Sequence, residues 1–196
     1  MAAAITHLLY LHGFRSSPQS TKARKTAGWV AEHRPDLVWS CPQLPPSPRQ
    51  AVADIEALVA DWPKDRMAVI GSSLGGYYAT ALAERTGCRA VLLNPAVEPA
   101  RDLADRVGTT TAWHSDQPFV FEPAFVDELR ALRVPTLTRP ERYLAIIAKG
   151  DEVLSWVEMQ SRYHGASIKL IDGSDHALSD YDRHLPDVVR FLGLIG

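Results

Sequence analysis

The chain has 196 residues, 46% hydrophobic and 22% charged, and 21 basic against 23 acidic residues give a formal net charge of −2. That length suits one domain, spanning 1–196, with a substantial buried core, and the composition is ordinary for a globular protein. Near-neutral charge excludes electrostatic recruitment to nucleic acid or anionic membrane, and no run approaches the ~20 apolar residues of a membrane span.

The two cysteines, Cys41 and Cys88, are too few for a disulfide framework, so a reduced, cytoplasmic protein is expected. The first residues carry neither the basic head nor the apolar segment of a secretory leader. Apolar runs then alternate with helix-period segments. Leu8 to Leu11 is a short apolar run ending at His12-Gly13, and Ser16 to His33 reads as loop plus helix. Within that helix Lys22, Arg24 and Lys25 are expected to form a solvated face. Leu37 to Trp39 is a second strand, closed by the loop Pro42-Gln43-Leu44-Pro45-Pro46. Val52, Ile55, Val59 and Trp62 recur at helical spacing and predict a helix facing a sheet. Further strands are expected at Met67 to Ile70, Ala90 to Leu93, Tyr143 to Ala148 and Ile168 to Ile171, and a last helix at Pro186 to Leu192. Strands apolar on both faces and separated by helices predict a parallel α/β sheet covered on both sides. One segment, residues 99–142, is too long for an ordinary crossover. Its aromatics (Trp113, Phe119, Phe121, Phe125) and the prolines Pro118, Pro123, Pro135 and Pro140 suit a lid or pocket wall, or a crossover with packed helices such as Phe125 to Leu132.

The most informative stretch is Met67-Ala68-Val69-Ile70-Gly71-Ser72-Ser73-Leu74-Gly75-Gly76. A strand ends at Gly71 and a helix opens after Gly75, with Gly-x-Ser-x-Gly between them. A serine at the centre of a strand-turn-helix occupies a strained turn that lifts its hydroxyl clear of the sheet. The following helix start favours negative charge beside it.

A serine nucleophile needs a base, and the base needs an orienting acid. Asp151 follows the fifth strand and His176 the sixth. Parallel strands deliver both to the edge that carries Ser73, in the order Ser…Asp…His. Asp172, Asp175 and Glu152 are rival acids; Asp175, adjacent to His176, is poorly placed to reach its ring. Oxyanion donors are expected from the backbone N–H groups of Leu74 and Phe14, the latter from the turn after the first strand. His12 is expected beneath the site as a structural residue that also borders substrate, with Trp113 and Phe119 as further substrate contacts. A metal reading of His12, Asp151 and His176 lacks any motif of ligand spacing, so no metal and no cofactor is expected.

On these residues the chain resembles the small bacterial α/β-hydrolase esterases of the YqiA/YcfP type. The resemblance rests on Leu9-Tyr10-Leu11-His12-Gly13-Phe14-Arg15-Ser16-Ser17, Pro42-Gln43-Leu44-Pro45 and the tract from Gly71 to Thr80. Leu93-Asn94-Pro95-Ala96, Gly150-Asp151-Glu152-Val153-Leu154 and Gly173-Ser174-Asp175-His176-Ala177 complete it. It implies a six-stranded α/β-hydrolase core with a short lid-like insertion, hydrolysis of short-chain carboxylic esters, and Ser73, Asp151 and His176 as triad. The expected partner is a small ester substrate. Thioesterase or acyltransferase action on the same triad, or ligand binding on a hydrolase scaffold, are the alternatives. Residues 109–140 match the family least.

Overall fold

The computed structural model describes residues 4–112 and 118–195. In chain order the elements are β1 (His7–Leu11), α1 (Thr21–His33), β2 (Val38–Ser40), α2 (Pro48–Leu58), β3 (Met67–Ser72), α3 (Leu74–Thr86) and β4 (Arg89–Leu93). A short helix α4 (Pro99–Asp102), a hairpin of β5 (Gly108–Thr111) and β6 (Pro118–Phe121), and helix α5 (Pro123–Ala131) follow. The chain then continues through β7 (Tyr143–Ala148), α6 (Trp156–Arg162), β8 (Ser167–Ile171) and α7 (Leu185–Phe191).

Six strands form one sheet in the order β2-β1-β3-β4-β7-β8, and every pairing is parallel. This is an α/β-hydrolase fold. Strand periodicity sorts the core into two layers. Leu9, Leu11, Val69, Leu92, Ala145 and Ile147 face α2, α3, α5 and α6. Their neighbours Leu8, Tyr10, Ile70, Val91, Leu93 and Ile146 face α1 and α7. Each large side chain removed from water in this way contributes roughly 1.5–3 kcal/mol. That is why the central strands contain almost no polar residue.

Local signals set the helix ends. Ser47 caps α2 by accepting from the Gln50 N–H, with Pro48 in the first turn, where a missing N–H costs nothing. Gly87, at φ 75°, ends α3 in the left-handed conformation.

Residues 99–142 are where the chain departs from a simple alternation. Antiparallel β5 and β6 pair outside the main sheet, and α5 follows them. Phe119 and Phe121 are buried while Val120 between them is exposed, the alternation of a one-sided strand. Leu129 of α5 is fully buried, and the Tyr77 hydroxyl of α3 donates to its carbonyl at 2.8 Å. The described part of this segment is therefore packed into the α3 side of the core.

Candidate active site

Because the strands are parallel, the loops after β1, β3, β4, β7 and β8 leave the sheet at one edge. They bring together Ser73, His176, Asp151, Asn94 and the His12–Ser16 turn. This is the edge at which ligands bind in open α/β sheets.

Ser73 sits between β3 and α3 at φ 53°, ψ −120°, a conformation L-residues rarely adopt. The surrounding backbone imposes it. The Ser73 N–H donates to Leu93 O at 3.0 Å, and Ser73 O accepts from the N–H groups of Gly76 and Ala96 at 2.8 and 3.0 Å. The turn requires glycine on both sides. A Cβ on Gly75 would lie 2.0 Å from Leu11 O, and one on Gly71 would lie 2.3 Å from Gly75 O.

A hydrogen-bonded chain runs from the serine into the protein. Ser73 Oγ lies 3.1 Å from His176 Nε2, and His176 Nδ1 lies 2.8 Å from Asp151 Oδ2. The carboxylate can only accept, so Nδ1 carries the ring proton and Nε2 faces Ser73 Oγ as an unprotonated acceptor. The Asp151 side chain is 0% exposed, yet it is fully satisfied: its Oδ1 accepts from the Val153 and Leu154 N–H groups, both at 2.8 Å.

The rival acids have other partners. Asp175 turns back on its own loop and accepts from the Ser179 N–H and hydroxyl at 2.8 and 2.6 Å; these bonds hold its carboxyl below the usual range. Asp172 pairs with Lys149 at the surface. Glu152 accepts from the His176 main-chain N–H at 3.0 Å, so it steadies the loop and leaves the ring to Asp151.

Leu74 and Phe14 both line the cavity above Ser73. The Leu74 N–H opens α3, where the first-turn amides have no intrahelical acceptor. The turn bearing Phe14 is closed by Ser16 N–H to Gly13 O at 3.2 Å, with Arg15 at φ 59°. Gly13 abuts Ser73, since a Cβ there would lie 3.2 Å from Ser73 Cβ.

His12 also borders the cavity, but it has no nitrogen left for substrate. Its Nε2 accepts from the Leu44 N–H at 3.0 Å and its Nδ1 donates to Gly13 O at 3.0 Å. Burial lowers its pKa, in keeping with a neutral ring that ties the proline-rich loop to the β1 turn. The expected structural role is thus carried by both nitrogens, and any substrate contact is left to the ring face in the cavity wall. Phe119 packs edge-on against Phe14 at 5.0 Å and supports the wall from behind. Trp113 lies outside the described residues.

Two residues carry more of the site than their sequence context indicates. Asn94, buried and at φ 42°, follows β4. Its Nδ2 donates to the carbonyls of Asp175 and His176 at 3.0 and 3.2 Å, and its Oδ1 accepts from the Ala148 N–H at 2.8 Å. One amide therefore joins the aspartate loop to the histidine loop. The second is Lys22, expected on a solvated face. It lines the cavity instead, and its ammonium donates to Ala177 O. Arg24 is exposed, and Lys25 pairs with Asp182 at the surface.

The cavity has a volume of about 500 Å3 and a mixed lining, within the usual range for small-molecule sites. Leu103, Val153 and Leu154 give it an apolar side, and Ser16, Ser20 and Thr21 a hydroxyl-bearing one. Among the described residues no three His, Cys, Asp or Glu side chains converge as a metal site would need. No helix among them is long and apolar enough to cross a membrane.

Solved α/β-hydrolase structures share this architecture. A protein from Agrobacterium vitis S4, whose hydrolase assignment is provisional, superposes with a TM-score of 0.76 at 17% identity, over 97% of this chain and 91% of that one. The ferulic acid complex of Est1E from Butyrivibrio proteoclasticus gives 0.71 at 15% identity, over 97% and 89%. A structure from the metagenome-derived lipolytic enzymes LipS and LipT gives 0.67 at 19%, over 97% and 95%. At such identities the likeness speaks for the fold. The family is shown directly: the profile described as Uncharacterised protein family (UPF0227) matches residues 7–193, and the chain belongs to it. The YqiA/YcfP-type resemblance read from the motifs holds.

Proposed function

We propose that the protein is a serine hydrolase of small carboxylic esters, with Ser73 as nucleophile, His176 as general acid–base and Asp151 as its orienting acid. The observation that carries this reading is the unbroken chain from Ser73 Oγ through His176 to the buried Asp151 carboxylate, set in the wall of an open cavity. In acylation a bond forms from Ser73 Oγ to the ester carbonyl carbon while His176 Nε2 takes the serine proton. Collapse of the tetrahedral intermediate breaks the carbon–alkoxide bond, and His176 returns the proton to the departing alcohol. Water, deprotonated by His176, then attacks the acyl-enzyme; collapse breaks the bond from the acyl carbon to Ser73 Oγ, His176 returns the proton to Oγ, and the acid leaves. The N–H groups of Leu74 and Phe14 are the donors proposed for the oxyanion, a contribution of about 10²–10³ in rate per donor. Asp151 stabilises the transient imidazolium without taking its proton.

The fold of the solved neighbours, with the lipase and esterase description of LipS and LipT and the ferulic acid bound to Est1E, supports ester chemistry over other uses of the scaffold. The test is hydrolysis of p-nitrophenyl acetate, butyrate, octanoate and palmitate, with a fluorophosphonate probe alongside. Turnover falling with chain length, and a drop of about 10³-fold or more in Ser73→Ala, are expected. Activity that survives this substitution unchanged removes Ser73 from the mechanism.

A further inference from the structure

The cavity beside Ser73 is charged out of proportion to the chain. The formal net charge of the protein is −2, yet among the described residues Arg15, Lys22 and Arg106 line this cavity against one carboxylate, Asp102. That carboxylate is already held by Arg101 Nε at 2.8 Å. Arg15 is engaged as well, donating from Nε to Thr111 O at 2.8 Å.

Lys22 stands apart from the other lysines. Lys25, Lys149 and Lys169 each meet a carboxylate, and Lys64 donates to carbonyls at the end of α2. Among the described residues Lys22 meets no carboxylate at ion-pair distance, although it is half-buried. The acids that influence it, Asp175 and Asp151, are already satisfied by Ser179 and by His176, Val153 and Leu154. It is also the second residue of a 13-residue helix with no acid in its first turn, so its charge adds to the positive helix end. Withdrawing an ammonium from water without a counter-charge is costly, and burial duly pushes its pKa down to about 8. One donor is taken by Ala177 O, the residue after His176, which leaves two. A half-buried cation beside the catalytic histidine, with no carboxylate at ion-pair distance among the described residues, is the arrangement of a substrate counter-ion.

We propose that the site takes esters whose acyl or alcohol half carries an anionic group, a carboxylate or a phosphate, and that Lys22 pairs with that group. The inference rests on the serine-hydrolase reading and names its substrate class. A charge-assisted contact of this kind is worth about 10- to 100-fold in kcat/KM.

The experiment compares mono-p-nitrophenyl glutarate with its methyl ester. The two have the same reacting carbonyl and nearly the same length, and differ in one negative charge. The readout is the ratio of kcat/KM, anionic over neutral. The wild type is expected to favour the anionic ester by about 10-fold or more. Lys22→Met should lower that ratio by about 10-fold or more, and Lys22→Arg should restore part of it. A ratio near one in the wild type, or a ratio that Lys22→Met leaves unchanged, overturns the proposal. If Lys22 served only to hold the Ala177 loop, both esters would slow together and the ratio would stay. Inhibition by glutarate and by inorganic phosphate separates the carboxylate from the phosphate form of the ligand. Should neither ester be turned over, the serine-hydrolase reading falls on its own. Calorimetric binding of glutarate or phosphate, present in the wild type and lost in Lys22→Met, then still supports the anion site, and its absence sinks it.

Discussion

Asn94→Ala tests whether one buried amide keeps the acid and the base in register. The substitution leaves the Ala148 N–H without an acceptor and deprives the carbonyls of Asp175 and His176 of a shared donor. A buried amide hydrogen with no partner costs about 1–3 kcal/mol, and carbonyls left partly satisfied cost less, so the lost bonds amount to about 2–4 kcal/mol. Alanine must also hold φ 42°, which asparagine tolerates better by about 1 kcal/mol. A total of about 3–5 kcal/mol corresponds to a Tm drop of roughly 10 °C at this chain length. Activity should fall further than stability alone accounts for. The His176 main chain is tied by Asn94 on its carbonyl and Glu152 on its N–H, and a 1 Å misplacement of a catalytic group costs about 10²-fold. Urea unfolding gives the first quantity, and the rate of fluorophosphonate labelling of the folded variant gives the second. Asn94→Asp is the control: it preserves the acceptor for Ala148 but sets a negative charge against two carbonyl oxygens, so it should be no better than alanine. An alanine variant within 1 kcal/mol of wild type that labels at the wild-type rate would refute the bracing role.

Gly75→Ala drives a Cβ to within 2.0 Å of Leu11 O and 2.6 Å of His12 O; both are main-chain atoms, so a loss above about 4 kcal/mol is expected. A soluble variant with near-native Tm would contradict that geometry. Asp151→Asn should lower kcat by about 10³–10⁴-fold, while Asp175→Asn, whose carboxylate is hydrogen-bonded to the Ser179 turn, should change it little; steady-state kinetics that reverse the two would move the acid. The Lys22 ammonium gives two pH dependences. Its charged neighbours are Asp175 and Asp151 on the β8 and β7 loops, with His176, Arg15 and Arg106 along the cavity. Any preference for anionic over neutral esters should decay as pH rises through about 8, where the folded protein releases this proton. Because that pKa is lowered from 10.5, the unfolded chain binds the proton more tightly. The cost to folding is therefore complete below pH 8 and relieved as pH climbs toward 10.5. Lys22→Met should accordingly raise Tm at pH 7, by a margin that shrinks in alkaline buffer; a lower Tm at pH 7 would show that the Ala177 bond outweighs the burial.

The sheet was legible because its central strands are apolar at almost every position, as a doubly covered parallel strand requires. The elbow was legible because the glycines that its crowding demands stand two residues either side of Ser73. The β5–β6 hairpin was harder to read. Its first strand, Gly108-Thr109-Thr110-Thr111, is nearly all exposed and carries no periodicity, although Phe119-Val120-Phe121 does alternate and could have been read as a one-sided strand. Asn94 was quoted within a motif, but its role needs three segments that meet only in the fold. Lys22 misled for a related reason: its spacing with Arg24 and Lys25 suits an outward helix face, and a neighbouring loop contributed by β8 decides otherwise. Local sequence reports what a residue's own element wants and says little about what other elements place against it.

The aromatic packing behind Phe14 bears on how such an enzyme could diversify. Phe119 and Phe121 both meet the Phe14 ring edge-on, at 5.0 and 5.2 Å, and Arg15 reaches Thr111 on the same hairpin. The hairpin that interrupts the alternation of strands and helices thus leans on the turn proposed to hold the oxyanion. An exchange of this hairpin for another should not retune selectivity alone, because it would also move the turn proposed to supply an oxyanion donor. Selectivity and rate are inherited together here, and a graft that changes the first should carry compensating changes at residues 13–16.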